Sequence, residues 1–113
     1  MDTEGGGRAF PLAPAISALQ AGRVVWRAHV LRRMVERGIG RTEIFGAILA
    51  GEVIEEYPDD SPYPSALLLG FAGGRPLHVV VSFDEAAPDT YIITVYEPSP
   101  DKFEPDWKTR RTP

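Results

Sequence analysis

The sequence predicts an α+β fold, with two or three N-terminal helices packed on a mostly antiparallel sheet of about four strands. Three observations predict it. Apolar residues recur at helical spacing before residue 51 and at strand-like spacing after it. Gly73-Gly74 separates two strand-like runs as a tight hairpin turn. The 113 residues suffice for one core and are too few for two ordinary domains.

Residues 1–14, with Gly5 to Gly7, Pro11 and Pro14, read as a flexible leader ahead of a single domain over 15–107 and a basic tail over 108–113. Ile16 to Gln20 forms a short helix that Gly22 ends, and Val24-Val25-Trp26 a brief strand. The stretch from Trp26 to Ile39 is a helix divided between chemistry and core. At about 100° per residue, His29, Arg32, Arg33, Glu36 and Arg37 share one face and Val30, Leu31, Met34 and Val35 the other. Gly38 ends it in a left-handed conformation. A second helix starts near Gly40, where Glu43 reaches back to a free amide, and runs through Ile44, Phe45, Ala47, Ile48 and Leu49 to Gly51. Strands follow over residues 53–57, 66–71, 77–83 and 91–96. The last two join through the longer turn 84–90, giving a meander with the first strand at its edge. In the loop Asp59-Asp60-Ser61-Pro62-Tyr63-Pro64, proline forbids regular pairing. In the tail from Pro98, Phe103 and Trp107 are candidate anchors.

Composition excludes several chemistries. With no cysteine there is no disulfide, thiol nucleophile or thiolate zinc site, which fits a cytoplasmic protein. No apolar run approaches the roughly 20 residues that cross a bilayer, so no membrane partner is expected. Two histidines about fifty residues apart match no ligand spacing, so neither a metal nor another cofactor is expected. The net charge of −4 argues against strong nonspecific nucleic-acid binding, but it hides an asymmetry. Residues 1–42 carry seven arginines against three acids, whereas residues 43–101 carry Arg75 alone against eleven acids. A local basic patch can hold phosphate on an acidic protein, because screening limits each charge to about 8–10 Å.

The basic helix face has two readings. One is a solvated surface on which Glu36 pairs with Arg32 or Arg33. The other is a phosphate-facing site, since histidine changes charge near neutral pH and arginine binds phosphate bidentately. Metal-free RNA cleavage needs such parts: a base for the ribose 2′-hydroxyl, an acid for the leaving oxygen and cations for the phosphate. Alternation places His78, Val80 and Ser82 on one face of their strand. In the last strand it groups Ile92, Thr94 and Tyr96 on one face, with Ile93, Val95 and Glu97 opposite. If the polar faces coincide, His78, Ser82, Thr94 and Tyr96 form one surface. Gly73-Gly74-Arg75 is no phosphate loop, because it joins strands with no helix after it.

The series His29-x-x-Arg32-Arg33-Met34-x-Glu36-Arg37-Gly38-Ile39, then Gly51 to Asp60, Gly74 to Val81 and Ile92 to Pro98, resembles the domain of unknown function 4258 family over roughly residues 23 to 107. That family is similar to the barnase, colicin and RelE-like ribonuclease superfamily, which includes Brn-type and RelE-type toxins of bacterial toxin-antitoxin pairs. The resemblance implies helices packed on an antiparallel sheet and a metal-independent endoribonuclease, with RNA as substrate and a small antitoxin as partner. It places the family's helix histidine at His29 and its helix arginines at Arg33 and Arg37. His78 and Tyr96 occupy strand positions where related toxins place catalytic or RNA-binding groups. The resulting expectation assigns His29, Arg33, His78 and Tyr96 to catalysis and Arg32, Arg37, Arg75 and Thr94 to substrate binding. The alternative is a non-catalytic interaction or regulatory module that docks a partner through the basic helix face.

Overall fold

The computed structural model describes residues 9–112. Its elements run α1 (Leu12–Gln20), β1 (Val24–Trp26), α2 (Ala28–Arg37), α3 (Arg41–Leu49), β2 (Glu52–Tyr57), β3 (Ser65–Ala72), β4 (Arg75–Asp84) and β5 (Asp89–Tyr96). Local chemistry sets the helix ends as expected. Gly38 adopts φ 63°, which lets the chain leave α2 in a left-handed turn. Glu43 Oε1 accepts from the Gly40 amide at 2.8 Å and closes the start of α3. Gly73 and Gly74, with φ 57° and 84°, form the two-residue turn between β3 and β4, where both central residues need positive φ.

The strands form one five-stranded sheet in the order β1-β5-β4-β3-β2. The expected count of about four is corrected by β1, which pairs in parallel with β5 through Val24 to Thr90, Val25 to Tyr91 and Trp26 to Ile92. The sheet is therefore mixed, antiparallel except at that edge. A three-residue strand whose partner lies more than sixty residues ahead leaves no pairing signal in local sequence.

All three helices lie on one sheet face. Val30 and Met34 of α2, Ile44 and Ile48 of α3 and Leu19 of α1 are buried with Leu68, Leu77, Val79, Val81, Ile92 and Val95 from the strands. Each such side chain contributes about 1.5–3 kcal/mol by leaving water. Helix α3 comes so close to β3 that a Cβ at Gly70 would lie 2.1 Å from the Ala47 carbonyl oxygen, so glycine is required there. Val35, expected on the buried face of α2, is instead 84% exposed. The buried arc holds only Val30, Met34 and, in part, Leu31.

Two further expectations are adjusted. The register between β4 and β5 shifts so that Val80 faces Thr94 and Val81 faces Ile92, which leaves Ile93 as an extra residue. Ile92 thus joins Val95 in the core, while Thr94 and Tyr96 keep the opposite face. At the N-terminus, α1 begins at Leu12, Phe10 is buried, and the Phe10 amide donates to Glu56 at 2.6 Å. Ordered structure thus starts inside the expected leader, whose glycine run lies outside the described residues. Among those residues no helix is long and apolar enough to cross a membrane.

Candidate functional site

Alternation along β4 sends Leu77, Val79, Val81 and Phe83 into the core, so His78, Val80 and Ser82 occupy the face away from the helices. His78 faces Tyr96, Val80 faces Thr94 and Ser82 faces Tyr91 across the ladder. Polar clusters form at both ends of this row.

At the His78 end, the chain after Pro98 folds back over the sheet as a strap. It forms a small hairpin in which Phe103 pairs with Arg110. Asp106 closes the turn by accepting from the amides of Thr109 and Lys108, each at 2.9 Å, and these bonds hold its carboxyl down at about 2. Phe103 is buried, with its ring edge-on to His78 at 4.6 Å. His78 Nε2 lies 2.7 Å from the Trp107 carbonyl oxygen and Nδ1 lies 3.2 Å from the Tyr96 hydroxyl. A carbonyl only accepts, so Nε2 donates to it. Nδ1 then accepts from Tyr96, and the neutral imidazole is satisfied on both sides. Burial pushes the His78 imidazole below its usual range, partly offset by the Trp107 carbonyl. Arg110 donates to both oxygens of Glu55, at 2.7 and 3.1 Å, and holds that carboxyl below its usual range. Burial and then the bond to Glu55 push the neighbouring Tyr57 hydroxyl up to about 12. Lys108 adds an ion pair to Glu52 at 3.3 Å.

At the Ser82 end, a cleft of about 420 Å³ opens between the start of α2 and the loop 58–64. Arg27, His29, Asp60, Ser61, Tyr63 and Ser82 line it. The Arg27 guanidinium lies 5.5 Å from the centroid of the Tyr91 ring, and Tyr63 stacks on the same ring at 5.5 Å. Asp60 is held in place by the Ser61 amide at 3.2 Å and the Ser65 hydroxyl at 2.6 Å. A hydrogen bond to Asp84 raises the Tyr63 hydroxyl above its usual range. The bulged residue Ile93 also borders the cleft.

The arginines of α2 are exposed, and Arg27, Arg32, Arg33 and Arg37 form no ion pair among the described residues. Glu36 pairs with neither Arg32 nor Arg33. Arg33 follows His29 by about 6 Å along the helix and Arg37 by about 12 Å. Of the expected site residues, the structure brings His78 and Tyr96 together and keeps Thr94 on their face. His29 belongs to the other cluster, since Ser82 in its cleft stands four strand positions, roughly 13 Å, from His78. Arg75 joins neither cluster. It begins β4 and is held by Glu43 at 3.3 Å and Glu97 at 4.0 Å. Sequence reasoning missed Arg27, Tyr63 and Tyr91. Arg27 alone carried a signal, a cation at the position before a helix where a small capping side chain is usual.

Fold and site together define a small α+β domain with a cationic, aromatic-walled cleft at one helix end. The chain belongs to a family of domains of unknown function, DUF4258, whose profile matches residues 26–97. Helix α1 and the strap lie outside the matched segment. No curated protein and no solved structure matches the chain.

Proposed function

We propose that this protein is a metal-independent endoribonuclease that receives an RNA phosphate at the start of α2. One observation carries the reading: the cleft sets the exposed His29 beside Arg27 at a helix end that has no acid in its first turn. In this reaction His29 takes the proton of the ribose 2′-hydroxyl, whose oxygen attacks the phosphorus and expels the 5′-oxygen, leaving a 2′,3′-cyclic phosphate. Arg27 and the helix end stabilise the added negative charge, and Arg33 and Arg37 follow the strand along α2. The departing 5′-oxygen takes its proton from solvent water, since His78 and Tyr96 stand at the other end of the row, roughly 13 Å from Ser82. The resemblance to RelE-like and Brn-type toxins supports the same chemistry and adds the role of a toxin restrained by a small antitoxin.

The non-catalytic reading, in which a partner docks through the basic face of α2, draws on a feature beside that face. Leu31, Met34, Val35 and Ile39 line an apolar hollow of about 550 Å³ at the end of α2, bordered by Arg41, which suits docking of an acidic partner.

The deciding experiment incubates the purified protein with RNA in chelator and examines the product ends. Cleavage to cyclic phosphates is expected. His29→Ala should lower its rate by about 10²- to 10⁴-fold without changing the melting temperature, because the residue is exposed. Intact RNA, together with undiminished growth on expression, removes the nuclease and leaves the docking module.

A further inference from the structure

We propose that the cleft at the start of α2 is a binding site for the phosphate monoester of a nucleotide, with the phosphate on the helix end and the nucleoside against Tyr63. The proposal takes its ligand class from the ribonuclease reading and adds the subsite that holds the phosphate.

The helix end is electrostatically unfinished. No side chain caps α2 and no acid lies in its first turn. The Val30 and Leu31 amides turn back to the Arg27 carbonyl, at 3.0 and 3.3 Å. Those of Ala28 and His29 have no acceptor among the described residues. A helix N-terminus carries about half a positive charge, so the Arg27 cation there opposes its dipole. An anion removes that conflict and satisfies the free amides together.

An independent observation comes from β4. Ser82 is 6% exposed and lines the same cleft, yet its hydroxyl has no hydrogen-bond partner among the described residues. A buried hydroxyl without a partner is uncommon and costs free energy, and a ligand oxygen in the cleft satisfies it. A phosphate fits this donor set because it offers several acceptor oxygens to Ser82, Arg27, His29 and the amides.

The rest of the cleft selects what the phosphate is attached to. Tyr63 is held by its stack on Tyr91 and offers an aromatic wall to a base. Asp60 repels a bare anion in its direction but accepts hydrogen bonds from hydroxyl donors. Its two bonds leave acceptor capacity on both oxygens, which suits ribose.

The test titrates full-length protein with uridine 3′-monophosphate, inorganic phosphate and uridine while following backbone amide resonances. The nucleotide should shift the Ala28 and His29 amides, and inorganic phosphate should shift them with weaker affinity. Uridine should leave them in place. Ser82→Ala should weaken nucleotide binding about tenfold, with a melting curve confirming that the variant is folded. Unmoved Ala28 and His29 amides with both phosphates, uridine binding as tightly as the nucleotide, or wild-type affinity in Ser82→Ala overturns the proposal. An RNA cleavage assay on the same samples separates the two claims. Nucleotide binding with intact RNA removes only the nuclease, whereas cleavage without nucleotide binding removes only this subsite.

Discussion

His29 and His78 show how one residue type takes opposite roles according to what surrounds it. His29 stands at a helix end in reach of solvent, whereas His78 is enclosed between Phe103 and Tyr96 with both ring nitrogens bonded. A buried polar group with full partners stabilises, but removing one partner leaves the other to bear its desolvation. His78→Leu keeps approximate volume but orphans the Trp107 carbonyl and the Tyr96 hydroxyl. The expected loss is about 1–3 kcal/mol, read as a lower urea midpoint with an unchanged slope. A His78→Leu variant as stable as the parent would mean that water replaces both bonds. From sequence these two histidines were equivalent candidates. Spacing shows which face a residue occupies, while the tail that covers the His78 face is set by contacts with residues twenty or more positions away.

Among the elements, the strap is the one attached mainly by polar contacts. Phe103 is its single fully buried side chain, and the bonds of Lys108 and Arg110 to β2 are ion pairs at the surface, which contribute little in water. Segments with few buried apolar contacts open independently of the body. Phe103→Ala is therefore expected to release the strap rather than unfold the domain. Trypsin should then cut at Lys102, Lys108, Arg110 and Arg111 at least tenfold faster, with the rest of the chain resistant by mass spectrometry. Strap cleavage at the parental rate would show that the ion pairs suffice to hold it. Element ends were legible where a single residue decides them, as at Gly38, Glu43 and Gly73-Gly74. The facing of β5 was not, because the extra residue at Ile93 reverses the phase between Ile92 and Thr94. The cleft was not legible either, since α2, the 58–64 loop and β4 meet there only after the sheet has formed. Ser82 was placed on the polar face by alternation, but its lack of a partner is a property of packing.

For the whole molecule, the charge asymmetry resolves into a pairing scheme. Acids of the strand region are answered by the tail and by isolated arginines, as in Lys108 with Glu52, Arg110 with Glu55 and Arg23 with Asp89. Among the described residues the arginines of α2 have no ion-pair partner, so a protein of net charge −4 presents a positive helix face. With screening over about 8–10 Å, that face acts locally. The strap network makes stability depend on pH with a definite sign. His78 is depressed below its ordinary 6.5, so as pH falls past 6.5 the unfolded chain takes up a proton that the folded protein refuses. Glu55 is depressed below its ordinary 4.5, chiefly by Arg110, so the same imbalance appears again on further acidification. Both groups act in one direction: stability is full above about pH 7, declines below 6.5 and declines further below 4.5. Melting temperatures measured between pH 8 and pH 4 should show that decline. The His78→Leu variant should lose the first part of it, because without the imidazole nothing at that position binds a proton differently in the two states. A parental profile flat down to pH 5 would contradict the closed, neutral His78 on which the strap is built.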